Sequence, residues 1–166
     1  MSIFEAKNYV MSANEIVISG YKPFLIQKGN DEVKNSNEQW GVVVQSFPYK
    51  LLPKPKDPPK NDWHDQDGDD EYNSTMHYEA YEIEVDFYAR ARDNTTLRTN
   101  IKAFFDYIKE GEFKIYDTYT GIGRQNVRYA DYDPNSYKDK GGRARLIFKI
   151  KFKVNDPITQ IVLTEN

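Results

Sequence analysis

Two segments of this chain alternate with period two and carry opposite charges. From Tyr81 to Tyr88, one face holds Tyr81, Ile83, Val85 and Phe87, and the other holds Glu82, Glu84, Asp86 and Tyr88. From Arg143 to Val154, one face holds Leu146, Phe148, Ile150, Phe152 and Val154. Its other face holds Arg145, Lys149, Lys151 and Lys153, with Ile147 among them. Strict alternation of this kind is the signature of a half-buried strand. Placed antiparallel and adjacent, the two strands would set opposite charges across the sheet, each pair contributing ~0.2–1 kcal/mol. Against like-charged neighbours both would be penalised. Strand 77–88 is therefore predicted to pair with strand 143–154. Glu82, Glu84, Asp86, Lys149, Lys151 and Lys153 then form a sheet charge ladder.

Between them lies the one clear helical pattern. Leu97, Ile101, Phe104, Phe105 and Ile108 make a single apolar stripe over 95–109. Asp93 or Asn94 can cap its start, and Gly111 stands just past its end. The stripe predicts a helix lying on the apolar side of the paired strands. Further strands are expected at 15–19, 24–27, 39–47, 113–116 and 125–132, and a short amphipathic helix at 2–12. Residues 20–23 read as a turn, and 28–38 and 133–142 as loops. The fold class is α/β (α+β): a mixed, mainly antiparallel sheet with one main helix on its apolar face. At 166 residues the chain suits a single domain over 1–166, long enough to bury a core without staples.

One long segment interrupts the pattern, at about 52–76. Residues 53–60 read PKPKDPPK, with four prolines, which favour extended backbone. Residues 61–71 read NDWHDQDGDDE, with six acids and no Lys or Arg. Self-repulsion and low hydrophobicity predict a solvated, extended or disordered insertion there. The opposite pole lies at 138–153, where seven basic residues stand against Asp139 alone, in a chain of net charge -3.

The residues that could carry chemistry do not assemble into a site. There is no cysteine, which excludes disulfides, thiolate metal sites and a cysteine nucleophile, and fits a reducing compartment. Asp65, Asp67 and Asp69 have the first spacings of a calcium loop, but its glycine position is Asp70 and its terminal glutamate position is Met76. A solvated acidic loop is the better reading. His64 and His77 are the only histidines, too few for a zinc set. Gly121-Ile122-Gly123-Arg124 lacks the remaining residues of either phosphate-binding glycine motif and reads as a mobile turn. No serine sits in a nucleophile elbow, and the paired carboxylates lie where lysines neutralise them. The expectation is no enzyme, no cofactor and no metal. No apolar run approaches the ~20 residues that span a bilayer, and no leader pattern opens the chain, so no membrane is expected as a partner.

Lys138, Lys140, Arg143 and Arg145 surround Gly141-Gly142. They can meet a phosphate backbone or acidic patches on a neighbouring copy, or stand solvated at a loop and strand entrance. The acidic balance of the whole chain favours protein contact over nucleic acid.

The stretch YEAYEIEVDFYARARDNTTLRTNIKAFFDYIKEGEF, then QNVRYADYD, then RARLIFKIKFKV, resembles the tail terminator (neck terminator, tail-completion) proteins of long-tailed bacteriophages. The matching features are the alternating strand ending Val85-Asp86-Phe87-Tyr88, the helix that follows, the strand centred on Val127-Arg128-Tyr129, and the last strand with its Arg-rich start. The resemblance covers 77–154, and the insertion at 52–76 departs from the pattern. It implies a non-catalytic homohexameric ring in the virion, at the junction of tail and neck, assembled in the host cytoplasm. Such a ring caps the tail tube protein, ends tube growth and meets the neck connector proteins. Double-stranded DNA passes through it without sequence recognition. Lys138, Lys140, Arg143 and Arg145 would then be assembly or lumen-facing residues. Another head–tail connector component (a stopper) or a tail tube protein is the alternative, and an unrelated ligand-binding domain the distant one.

Overall fold

In the computed structural model, strand β6 (Tyr81–Ala91) and strand β9 (Arg143–Val154) form one uninterrupted antiparallel ladder, from Tyr81 opposite Val154 to Ala91 opposite Ala144. The structure describes residues 11–12, 20–57, 60–61, 67–68, 70–71, 76–140 and 143–165. The expected strand at 15–19 and most of the expected helix at 2–12 lie outside them. The remaining elements are β1 (Phe24–Gln27), β2 (Lys34–Asn35), α1 (Ser36–Trp40), β3 (Val42–Val44), β4 (Lys60–Asn61), β5 (Asp70–Glu71), α2 (Asn94–Ile108), β7 (Phe113–Asp117) and β8 (Gly123–Lys140). Seven strands make one antiparallel sheet in the order β2-β1-β7-β8-β9-β6-β3, and β4 pairs separately with β5. With its one main helix, this is an α+β fold. No helix among the described residues is long and apolar enough to cross a membrane.

The sheet is rolled. Its last strand, β3, returns to Lys22, two residues ahead of β1: the Lys22 and Val44 N–H groups each donate to the other's carbonyl, at 2.6 and 2.8 Å. Rings from strands distant in sheet order therefore meet inside, with Phe24 of β1 lying 5.8 Å from Phe87 of β6. Helix α2 packs on β6 and β9. Its Phe104 is fully buried, 6.2 Å from Phe24, 5.7 Å from Phe87 and 5.1 Å from Trp40. The helix starts because the Asp93 side chain accepts from the Thr96 N–H at 2.7 Å. Past its end, Gly111 has a φ of 77°, which an L side chain resists.

The structure corrects three expectations about strands and loops. Residues 39–47 do not form a continuous strand. The Asn35 side chain caps α1 through the Asn37 and Glu38 N–H groups, and Gly41 ends the helix at a φ of 68°. Gln39 and Trp40 are thus helical, and only Val42–Val44 remain strand. For the same reason the polar stretch 28–38 is not all loop. The third correction concerns 133–142. Asp133–Lys140 is no loop but the far half of β8, in register with β9 up to Lys140 opposite Arg143. Two register shifts, between Tyr129 and Asp131 and between Pro134 and Ser136, break the alternation that would have shown a strand. Pro134 is tolerated because β7 pairs with β8 only as far as Val127, so the far half is an edge strand among the described residues.

Candidate assembly surface

The outer face of β8, β9 and β6 is built in rows. Lys151 stands between Glu84 on β6 and Asp131 on β8, and Lys149 between Asp86 and Asp133. The Lys151–Glu84 and Lys149–Asp86 pairs are each 3.8 Å apart. One row further towards the start of β6, Lys153 faces Glu82 on one side and Arg128 on the other. The six ladder residues named from sequence thus occupy facing positions, and Asp131 and Asp133 add a third column. These two were missed because the shift at Ala130 hides their parity. Among the described residues, Tyr132 also lines the shallow polar cleft that Glu84, Asp131, Asp133, Lys149 and Lys151 share. Each carboxylate there has a lysine opposite, the arrangement of sheet electrostatics rather than of an acid–base pair.

At the other end of the same face the alternation of sign stops. Arg90, Arg145 and Lys138 stand in one row across β6, β9 and β8. Lys140 and Arg143 pair in the last position of the hairpin, and Arg92 follows β6 directly. Like charges set directly opposite one another are unfavourable. The Nε of Arg145 is buried without a hydrogen-bond partner. Of the four assembly candidates, all belong to the two long strands, and the topology brings Arg90 and Arg92 to join them. Gly141 and Gly142 lie outside the described residues.

Two other clusters hold polar or apolar groups without a reactive arrangement. Buried Asp117 accepts from the Phe47, Tyr119 and Thr120 N–H groups at 3.1, 2.9 and 3.4 Å. Buried Arg124 donates to the Gly123 and Lys50 carbonyls and to Gln160 Oε1, at 3.0, 3.4 and 2.9 Å. Nearby, burial and then the Tyr81 hydroxyl push the Tyr49 hydroxyl well above the usual tyrosine range. The partners in this knot are the chain's own backbone and the Gln160 side chain, so it fastens 47–50, 117–124 and the tail at 160. The sequence reading of Gly121–Arg124 as a mobile turn is corrected here, because Gly123 and Arg124 are buried at the start of β8. The second cluster is a small apolar cleft beside α2, lined by Phe105, Ile108, Lys109, Tyr129 and Tyr132. It carries one cation and two tyrosines, with no carboxylate or histidine among its described lining residues.

Among the described residues no group of three or more His, Cys, Asp or Glu side chains could hold a metal. His64, Asp65 and Asp69, considered above for metal binding, lie outside them.

No protein-family model matches the chain, and no curated protein matches it in sequence. Among solved structures it resembles Dit of phage SPP1, described as a paradigm of the hub adsorption apparatus in phages infecting Gram-positive bacteria. The TM-score is 0.50 at 18% identity, over 82% of this chain and 51% of that one. The chain thus spans about half the length of the phage protein it resembles. At that identity the likeness is one of fold alone.

Proposed function

We propose that this chain is a structural, non-enzymatic protein of a bacteriophage tail, forming a closed ring that caps the tail tube, ends its growth and joins tail to neck. The observation that carries the tail assignment is the fold shared with a phage tail protein over 82% of the chain. The finer position, terminator rather than tube or hub, rests on the sequence resemblance over 77–154, which falls on β6, α2, β8 and β9. Its partners would be five further copies, the tail tube protein and the neck connector proteins. Double-stranded DNA would pass through the lumen without being read, and the protein would reside in the virion after assembly in the host cytoplasm. The outer charge ladder and the basic strand ends supply surface for such contacts, and no residue set in the described chain calls for a cofactor.

A second reading, a hub at the far end of the tail, is favoured by the likeness to Dit itself. Mixing the purified protein with tail tubes and imaging the product by electron microscopy separates the readings. A ring at the head-proximal end is expected, with six copies at ~117 kDa against 19.5 kDa for one by light scattering. Rings at the opposite end would establish the hub reading. Growth into long tubes would make it a tube protein, and failure to bind tubes at all would remove the tail assignment.

A further inference from the structure

Helix α2 turns only part of its apolar stripe to the sheet. Along its flank two apolar clefts open to the surface and share Phe105. One is lined by Leu97, Ile101 and Leu146, the other by Ile108, Tyr129 and Tyr132. Phe105 and Leu146 stay only partly buried there. Ile101 and Ile108 are seven residues apart, which sets the clefts ~10 Å apart along the helix. Arg98, Lys102 and Lys109, with Asp106, give the helical wall of this groove a net positive charge. The stretch 155–165 has the opposite balance, with Asp156 and Glu165 and no Lys or Arg. It is fastened to the start of β8. There the Ile161 N–H donates to the Gly123 carbonyl at 3.3 Å, the Gln160 side-chain amide donates to the Gly121 carbonyl at 2.9 Å, and Leu163 is buried. Held in this way, the stretch leaves Ile158 and Val162 51% and 64% exposed. Four residues of chain put these two side chains no more than ~14 Å apart.

We propose that the groove beside α2 takes the 155–165 stretch of a second copy of this chain, with Ile158 and Val162 seated in its two clefts. The spacing fits, because two aliphatic side chains within ~14 Å of each other meet two clefts ~10 Å apart. The charges fit as well: the acids that flank the aliphatic pair face a cationic wall. The stretch does not reach the groove of its own molecule. Its anchor, Gly123, lies six residues before Tyr129 on β8, ~20 Å away at ~3.3 Å per residue, and the bonds to Gly121 and Gly123 keep it there. The occupant is therefore another copy. Both surfaces are already formed, so docking orders little new chain. The contact joins one surface to a different one and so propagates around a ring or along a filament. The inference rests on reading the chain as a self-assembling tail protein, and names the contact through which its copies join.

The chain has no cysteine, so introduced cysteines report the contact without background. Full-length Val162→Cys is mixed with Lys102→Cys in one sample and with Lys109→Cys in another, under mild oxidation. Lys102 and Lys109 are exposed and line one cleft each. A disulfide between the two different chains, identified by intact mass, is expected in at least one sample. Its yield should exceed that of Val162→Cys mixed with Glu38→Cys, an exposed position on α1. In sedimentation over a concentration series, native protein is expected to associate. Ile158→Asp/Val162→Asp, with both changes at exposed positions, should keep the native melting curve and weaken association at least about tenfold. The cysteine mixtures keep the test decisive if the aspartate variant fails to fold. Association of the folded aspartate variant at native strength overturns the contact, and so does a mixed disulfide no more abundant than with Glu38→Cys. Native protein that still associates in either case leaves the assembly reading standing. Native protein that stays monomeric throughout and forms no mixed disulfide removes both. A monomeric native chain that binds tail tubes, and loses that binding on Ile158→Asp/Val162→Asp, would replace the second copy with the tube protein.

Discussion

Lys151 sits between two carboxylates and Glu84 beside one lysine, and this asymmetry makes the ladder measurable. Lys151 is 3.8 Å from Glu84 and in register with Asp131 on its other side, with side-chain exposures of 39% and 63% for the Lys151–Glu84 pair. Exposure on that scale places each pair in the lower part of the cross-strand range, ~0.3–0.5 kcal/mol. Glu84→Lys exchanges one attraction for one repulsion and should cost about 0.6–1 kcal/mol. Lys151→Glu exchanges two and should cost about twice as much. The double variant restores the attraction between positions 84 and 151 and leaves only repulsion against Asp131. It should therefore return to the stability of Glu84→Lys alone, although it contains the costlier change. Urea unfolding at low ionic strength measures all three, and in about 1 M salt, where the Debye length is ~3 Å, the differences should shrink. Equal costs for Glu84→Lys and Lys151→Glu would refute the third column. No coupling between the two would refute any energetic role for the ladder.

Phe104→Ala should cost about 3–5 kcal/mol by calorimetry or urea unfolding, since the ring is fully buried among Phe24, Phe87 and Trp40. Lys102→Ala removes only an exposed i,i+4 ion pair with Asp106 and should change stability by under ~0.5 kcal/mol. Gly123→Ala should loosen the C-terminal tail, because a Cβ there would run into the Ile161 carbonyl oxygen. Faster proteolytic trimming after residue 155, with a loss of about 1–3 kcal/mol, is the expected readout. The Asp93 carboxyl is held below its usual range by the Thr96 N–H and hydroxyl. Its contribution to stability is therefore present above the ordinary aspartate pKa and lost as pH falls through the depressed value. Asp93→Asn should flatten that acid limb in pH-dependent melting.

What the sequence made legible was whatever kept an unbroken period. β6 and β9 alternate without interruption, and their opposite charges selected both the partner and the direction of pairing. The α2 stripe is equally continuous, with a capping aspartate at one end and a glycine at the other. Legibility failed where one residue shifts the phase. The irregularities at Ala130 and Asn135, with Pro134 between them, disguised the far half of β8 as a loop and hid Asp131 and Asp133. The run of valines after Trp40 outweighed Asn35 and Gly41, whose capping geometry makes a helix of only five residues. Arg90 went unnoticed because its place opposite Arg145 comes from register with β9, which no local pattern reports, and Arg92 because it stands just past the end of β6.

The closure between Lys22 and Val44 has a consequence for the order of events in folding. The β8–β9 ladder joins strands separated by only two residues, so it closes with little loop entropy, and β6 can add along its whole length. The clasp joins β3 to the residue two ahead of β1 through two hydrogen bonds, with no longer ladder to support it. It is thus the seam expected to open first. In hydrogen exchange the Lys22 and Val44 amides should lose protection well before those of Val85, Ile150 and Phe152. A clasp that opens alone would unroll the cylinder while its spine stays zipped. The hazard for an isolated molecule is then not wholesale unfolding but brief exposure of Phe24 and Phe47 along a single line.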